Sequence, residues 1–358
     1  MKKIAIFGGS FNPIHNAHIK IAEYAIKHLK LDKLIFVPTF KSPDKVKDKI
    51  AEPHHRVKMI ELVLLPKSEI SLFEINRKGI SYTIDTIKYF SEKFKDAQLY
   101  FLIGSDNLTT LHKWEEIETI SKLAKIVVFK RTKNFSKINL KKFNAQLLNN
   151  DIFDASSTEI RKGNFKNLNP LVNEYIGKNW LYIEEILKNT LEAKRHKHSV
   201  ATGELAAEYA KSLNYDSKIA WFAGLCHDIT KNWTIEKHRQ FLNENNIKNE
   251  QIEDYKLHQL TGSLWLKNVY KLQNKEIINA ISVHTSLSKK MNVLDKIVFM
   301  ADKLSKGRKF EGIQKIRNLA FNDFEAAFSS IVEKTKNFNL NKTTVSDEQL
   351  EIYNIHIK

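Results

Sequence analysis

The hydrophobic pattern changes period halfway along the chain, and that change constrains the fold more than any other feature. The first half alternates short apolar runs with segments of helical periodicity. Lys3–Phe7 reads as a buried strand, His18–Leu29 as a helix, Lys33–Val37 as a strand and His55–Leu65 as a helix. Ser71–Ile75 reads as a further strand, Thr83–Lys93 as a helix, and Leu99–Ile103 and Ile126–Phe129 as strands. Such βαβα alternation predicts a mostly parallel, Rossmann-like sheet with helices on both faces. Sheets of that kind bind ligands at the carboxyl ends of their strands. From about Ile183 onward, apolar residues recur at three- and four-residue spacing, as in Val200–Leu213, Ser217–Leu225, Glu276–Val283 and Val293–Leu304. That pattern predicts an all-α domain. The change falls near Tyr182–Lys188, without a Pro/Gly linker, and gives an α/β domain over 1–183 and a helical domain over 184–358. A chain of 358 residues with 42% hydrophobic content can fill two cores.

Composition narrows the setting. The single cysteine, Cys226, excludes an internal disulfide and suits a reducing cytoplasm. Its neighbourhood reads as a buried small apolar position. No uninterrupted apolar segment of roughly 18 residues is present, so no membrane span is expected. The run Ile4–Phe7 leads into Gly8-Gly9 rather than a cleavage site, so it reads as a strand and not as a secretory signal. The net charge of +17 comes mostly from lysines spread along the chain. It favours solubility and general attraction of anions. The Lys/Asn-rich stretch Lys130–Lys142 reads as a solvated face. Aromatic and basic residues are not interleaved as in single-strand binders, so nucleic acid is not an expected partner.

The first candidate site is Gly8-Gly9-Ser10-Phe11-Asn12-Pro13-Ile14-His15-Asn16-Ala17-His18, which follows the first strand and opens the first helix. Paired glycines let the backbone turn sharply and approach a ligand. Free N–H groups at a helix start suit phosphate oxygens. His15 and His18 are three apart and share a face. They can donate to phosphates, and in protonated form would stabilise charge on a leaving pyrophosphate. A second constellation, Asp154-Ala155-Ser156-Ser157-Thr158-Glu159-Ile160-Arg161, has the capping-box spacing of Ser156 with Glu159. Its hydroxyls, amides and Arg161 suit a phosphate as well.

These two segments together resemble the bacterial nicotinate-nucleotide adenylyltransferases of the nucleotidylyltransferase superfamily. Further matching segments follow in order: Ser81-Tyr82-Thr83-Ile84-Asp85-Thr86, then Phe101-Leu102-Ile103-Gly104-Ser105-Asp106-Asn107-Leu108 with Trp114 beyond it, then Asn169-Pro170-Leu171-Val172 and Tyr175-Ile176. The resemblance covers roughly 1–182; Ala17 stands where glycine is common in the wider superfamily. It implies that Gly8, Gly9, Ser10, Phe11, His15 and His18 hold the phosphates of ATP, accompanied by Mg²⁺. Ser157, Thr158 and Arg161 would grip them from the other side. Gly104 and Asp106 would lie under the adenosine. Thr83 and Trp114 would contact the pyridine nucleotide, Trp114 by stacking. Lys45, after Lys41-Ser42-Pro43-Asp44, is a candidate phosphate contact. The mononucleotide phosphate would attack the α-phosphorus of ATP in line, with no covalent enzyme intermediate. Nicotinate and nicotinamide mononucleotides both remain open as acceptors.

The helical half carries His198, then His227-Asp228, then Asp302, with His258 and His284 between them. Imidazoles and carboxylates from several helices can coordinate Fe, Mn or Zn. Asp228 could place one oxygen on each of two ions. This H…HD…D order resembles the HD-domain metal-dependent phosphohydrolases. Arg195-His196-Lys197-His198-Ser199, Ala223-Gly224-Leu225-Cys226-His227-Asp228-Ile229-Thr230-Lys231, His284-Thr285 and Ala301-Asp302 resemble the bacterial group that hydrolyses diadenosine tetraphosphate symmetrically. The resemblance covers roughly 186–327. It implies Fe or Mn²⁺, one or two ions, with a metal-supplied hydroxide as nucleophile. His198, His227, Asp228 and Asp302 would bind one ion, and His258 and His284 a second. Asp228 and Lys231 would serve catalysis, and Arg195, Lys231, Thr285 and Arg308 would hold polyphosphate oxygens. Two positions depart from the group: His258-Gln259-Leu260-Thr261-Gly262 replaces the usual His-Gly, and Ser305 stands where an acidic residue is common. A 5′-nucleotidase or a non-catalytic nucleotide sensor is compatible with the same ligand set.

Overall fold

Ile4, Ala5, Ile6 and Phe7 are all buried, as in a strand interior to a sheet covered on both faces. That strand is β1 (Lys2–Gly9), an interior strand of a six-stranded sheet, in a computed structural model that describes residues 1–42, 50–153, 155–342 and 345–357. Two units result, Met1–Leu181 and Tyr182–Lys358. In the first, β1 pairs in parallel with β2 (Lys33–Pro38) on one side and β4 (Ala97–Gly104) on the other. β3 (Ser68–Ile70) extends the sheet beyond β2, and β5 (Lys125–Phe129) and β6 (Gln146–Leu147) extend it beyond β4. The order β3-β2-β1-β4-β5-β6 reverses direction between β1 and β4, and a ligand crevice forms where the order reverses.

Alternate residues of the strands fill opposite faces. Ile4, Ile6, Ile35, Val37, Leu99, Phe101, Ile103, Ile126 and Val128 join one core with α4 (Thr83–Lys93) and α5 (Ile117–Leu123). Ala5, Phe7, Leu34, Phe36, Leu102 and Val127 are buried on the other face. The remaining helices are α1 (Asn16–His28), α2 (Pro53–Glu61), α3 (Phe73–Arg77), α6 (Ser157–Arg161) and α7 (Pro170–Lys178). α2 and α7 each begin with proline at the first turn, where no N–H is needed.

Two sequence expectations are corrected here. Ser71–Ile75 is not a strand: β3 ends at Ile70, and the Phe73 amide donates to Ser71 Oγ at 3.3 Å. A serine hydroxyl that captures a nearby amide competes with the ladder, and the chain turns into α3. The Ser156–Glu159 capping box does not form either. Ser156 is the N-cap of α6, but its side chain makes no capping bond, and Glu159 pairs with Lys162 at 3.0 Å.

The second unit contains α8 (Ile183–Thr190), α9 (Ala193–Ser212), α10 (Ser217–Cys226), α11 (Ile235–Glu244), α12 (Asp254–Leu264), α13 (Lys275–Val283), α14 (Val293–Leu304), α15 (Ile313–Asn322), α16 (Phe324–Lys342) and α17 (Asp347–His356). No strand occurs among its described residues. α14 is the most buried of these helices, with nine buried residues that include Asp302. Among the described residues, no helix is long and apolar enough to cross a membrane.

α9 and α10 approach through glycines. A Cβ at Gly224 would lie 2.9 Å from Thr202 O and 3.0 Å from Gly203 Cα, and one at Gly203 would lie 2.9 Å from Trp221 O. Backbone cannot yield as a side-chain tip can. Gly224→Ala is therefore expected to destabilise the helical unit by about 1–2 kcal/mol, even after alanine's better helix propensity is credited. Thermal unfolding checks this; an unchanged melting temperature would mean that the two helices part freely.

Candidate nucleotide cleft and candidate metal centre

At the carboxyl ends of β1 and β4 opens a cleft of about 600 Å³. Gly8, Gly9, Ser10, Phe11, His15, His18, Thr83, Gly104, Asp106, Trp114, Ser157, Thr158 and Arg161 all line it. Of the residues expected in this site, only Lys45 is not among them, because it lies outside the described residues.

The turn after β1 is held from several sides. Arg56, fully buried, donates from Nη1 to Ser10 O at 2.9 Å and from Nε to Ala51 O at 2.9 Å. Ser157 Oγ donates to Pro13 O at 2.9 Å, and Arg161 Nη1 to Asn12 O at 2.9 Å. Asn12 Oδ1 accepts the Ala51 amide at 3.0 Å. Sequence reasoning missed Arg56, because a lone arginine in a helix carries no motif. It also missed Arg131, read as part of the solvated Lys130–Lys142 stretch. Most of that stretch is exposed, but Arg131 lines the cleft and pairs with Asp106 Oδ2 at 2.9 Å. Glu74, buried beside the cleft, accepts from Thr86 Oγ1 at 2.6 Å, and burial raises its pKa. Trp114 meets Phe101 edge-on, with ring centroids 6.1 Å apart.

The two histidines stack, with ring centroids 3.8 Å apart and planes at 25°. The His15 amide donates to His18 Nδ1 at 3.3 Å, which leaves His18 Nε2 for a ligand. Burial, with the Arg131 charge adding to it, lowers His15 to about 4. Burial, reinforced by His15 and Arg131, pushes His18 well below its usual value. Without a ligand both rings are neutral near pH 7, and a neutral imidazole still has one N–H to donate to a phosphate. A polyphosphate would supply the negative charge that draws protons back onto them.

The same shifts set a pH dependence. Above about pH 6.5 the unfolded and folded chains both carry neutral His15. As pH falls from 6.5 toward about 4, only the unfolded chain gains the proton, so stability is lost across that window. For His15 alone the interval is worth about 3 kcal/mol. Melting temperatures between pH 7.5 and 4.5 are expected to fall less for His15→Asn than for the unaltered chain. Equal slopes would contradict the assignment.

In the helical unit, every expected ligand converges. His198 Nε2 lies 2.9 Å from Asp302 Oδ1, and His227 Nε2 lies 3.6 Å from the same oxygen and 3.4 Å from Asp228 Oδ2. Asp228 Oδ1 lies 3.4 Å from His258 Nε2 and 3.8 Å from His284 Nε2. Two overlapping donor groups lie within mutual reach, His198–His227–Asp302 and His227–Asp228–His284. His258 Nε2 stands 3.2 Å from His284 Nε2, and Lys231 Nζ lies 3.1 Å from the His258 ring nitrogens. Cys226 is buried and outside both groups.

Two observations fit a divalent cation. His227 Nδ1 donates to Gly224 O and His284 Nδ1 to Ile281 O, each at 2.7 Å. These carbonyls fix the tautomers and point both Nε2 atoms into the cluster, the usual support for ligating histidines. His227 Nε2 is also buried, with no hydrogen-bond partner among the described residues. Burial alone would lower His227, but the Asp228 and Asp302 carboxylates raise it to about 9. A bound cation would displace that proton.

Four cations surround the two carboxylates. Arg195 Nη1 lies 2.8 Å from Asp228 Oδ2, Lys303 Nζ 2.8 Å from Asp302 Oδ2, and Arg308 Nη2 2.5 Å from Asp302 Oδ1. Lys231 is the fourth, partly buried, and burial lowers its pKa. Lys303 was not foreseen. Ser305, in place of an acidic residue, is buried and lies 3.3 Å from His198 Nδ1. Thr285 Oγ1 lies 3.1 Å from His258 Nε2.

A nucleotide cleft at a parallel-sheet switch point, joined in one chain to a helical His/Asp metal cluster, defines a two-unit nucleotide enzyme. The family model described as Cytidylyltransferase-like matches residues 6–163, and the HD domain model matches residues 195–307. A Mycoplasma genitalium protein named "Probable nicotinate-nucleotide adenylyltransferase/Ap4A hydrolase" is 37% identical over 317 residues, covering 87% of this chain and 89% of that protein. A Mycoplasma pneumoniae protein of the same name is 33% identical over 353 residues, covering 94% of this chain and 100% of that protein. A Clostridium tetani protein named "Probable nicotinate-nucleotide adenylyltransferase" is 43% identical over 173 residues, covering 45% of this chain and 86% of that protein. The chain belongs to the family of two-domain nicotinate-nucleotide adenylyltransferase/Ap4A hydrolases.

Proposed function

We propose that the first unit transfers AMP from ATP to nicotinate mononucleotide, giving deamido-NAD and pyrophosphate. We propose further that the second unit hydrolyses diadenosine tetraphosphate to two ADP. The observation that carries the first reading is the meeting, in one cleft, of three segments far apart in sequence: the turn after β1, the start of α4 and the start of α6. The names of the relatives point the same way.

In this reading the amides of Gly8–Phe11, with His15 and His18, hold the phosphates of ATP. Ser157, Thr158 and Arg161 hold them from the opposite side. Gly104 and Asp106 lie under the adenosine, while Thr83 and Trp114 orient the pyridine nucleotide. Mg²⁺ carried with ATP neutralises phosphate charge. The acceptor phosphate attacks the α-phosphorus, a P–O bond forms, the bond to the β-phosphate breaks, and pyrophosphate leaves. Catalysis rests on alignment and on donors that meet charge as it develops.

In the second unit, His198, His227, Asp228, His258, His284 and Asp302 would hold one or two ions of iron or manganese. When bound, such ions supply Lewis acidity and an activated water. Arg195, Lys231, Thr285 and Arg308 hold the phosphate chain. Their number suits a substrate with several phosphates better than a monophosphate.

Both halves are tested on the whole chain, purified anaerobically. Nicotinate and nicotinamide mononucleotides are offered separately with ATP and Mg²⁺, and deamido-NAD as the favoured product is expected. Diadenosine tetraphosphate is supplied with Fe²⁺ or Mn²⁺, and ADP as the sole product is expected. ATP plus AMP would overturn symmetrical cleavage. Phosphate release from nucleoside monophosphates alone would make the unit a 5′-nucleotidase.

A further inference from the structure

The turn after α13 carries both His284 and Thr285, and it is an awkward piece of backbone. Leu287, buried and β-carbon-bearing, sits at φ 63°. A non-glycine residue in the left-handed region persists only where its surroundings over-determine it. Two glutamines supply that constraint. Gln259, on α12, accepts the Thr285 and Ser286 amides on Oε1 at 2.9 and 3.1 Å. Its Nε2 donates to Ser286 Oγ at 2.7 Å. Gln349, on α17, donates from Nε2 to Ser286 O at 2.6 Å. Both glutamines are buried. Further along, His356 Nε2 donates to Ser288 O at 2.7 Å, and Lys289 pairs with Glu351 at 2.8 Å.

Resting on the reading of this unit as a metal-dependent hydrolase, we propose that Gln349 is a positioning residue for the metal centre. Through Ser286 and Gln259, it sets where His284 Nε2 and Thr285 Oγ1 stand. The final helix is then a working wall of the site. Gln259, one of the positions where the motif departs from the related group, finds its use here. Its carboxamide oxygen takes two backbone amides and its nitrogen donates to the Ser286 hydroxyl.

The test reads metal affinity as well as rate. Mn²⁺ binding to the full chain is titrated by the EPR signal of free Mn²⁺, beside hydrolysis of diadenosine tetraphosphate and thermal unfolding. Gln349→Leu and Gln259→Leu are each expected to weaken Mn²⁺ binding about tenfold, the effect usual for residues that support a ligand. Gln259→Glu retains an acceptor for both amides and for the Ser286 hydroxyl, so it is expected to bind Mn²⁺ more tightly than Gln259→Leu. Adenylyl transfer by the first unit should be unchanged throughout. Wild-type Mn²⁺ affinity in a folded Gln349→Leu variant would overturn the proposal. So would equal losses in Gln259→Glu and Gln259→Leu, which would mark a packing role alone. If Gln349→Leu does not fold, Gln349→Glu, which keeps the length of the side chain but has no N–H for Ser286 O, is read in its place. Should the unaltered chain bind Mn²⁺ without cleaving the substrate, the hydrolase reading fails, and the affinity comparison still decides the positioning role.

Discussion

Asp228→Ala is expected to abolish hydrolysis of diadenosine tetraphosphate while leaving adenylyl transfer untouched. Both oxygens of this carboxylate are committed. Oδ1 faces the Nε2 atoms of His258 and His284, and Oδ2 faces Arg195 and His227. Burial would raise its pKa, but His227 and its neighbours hold it well below the usual carboxylate range, so it is a full negative charge available to a cation. A metal's Lewis acidity is worth several kcal/mol in a hydrolytic transition state. At 1.36 kcal/mol per decade, its loss slows the reaction roughly a thousandfold or more. Removing a buried charge also leaves Arg195 without this counter-ion and His227 with Asp302 alone, at a cost to folding of about 3–5 kcal/mol. Product analysis and Mn²⁺ titration belong beside a melting curve for this reason. A folded Asp228→Ala chain with a tenth of the original rate would remove Asp228 from the centre of the chemistry.

The second large effect is expected at His18. Its Nδ1 is taken by the His15 amide, and its ring lies 5.2 Å from Phe11 and 6.1 Å from Phe7. That packing fixes the ring, so Nε2 is a donor aimed before the substrate arrives. Loss of one such donor typically costs about 10²–10³ in kcat. His18→Ala should show that loss with little change in KM for ATP, because the turn and Arg161 still hold the ground-state phosphates. A raised KM with unaltered kcat would make His18 a binding residue only.

Much of this was legible from pattern. Thr83–Lys93 and Val293–Leu304 match the helices residue for residue, because apolar spacing and end signals lie within a single turn of each other. Type and spacing also picked out residues that the structure gathers in the cleft and in the His/Asp cluster. What escaped depends on long-range contacts. Arg56 matters through a carbonyl 46 positions earlier. Gln349 matters through one 63 positions earlier. Neither neighbourhood differs from an ordinary helix surface. Ser71–Ile75 misled for a local reason: its alternation suits a strand, and one hydroxyl bond redirects it.

The bonds from Ser157 to Pro13 and from Arg161 to Asn12 span 144 and 149 positions. Seen from the ribosome, the turn after β1 waits for these side-chain anchors until most of the first unit has been synthesised. A nascent chain that stops short of Ser157 carries every glycine and both histidines of the motif, yet lacks these two clamps on that turn. The order of synthesis thus places completion of the nucleotide cleft immediately before the helical unit begins to emerge.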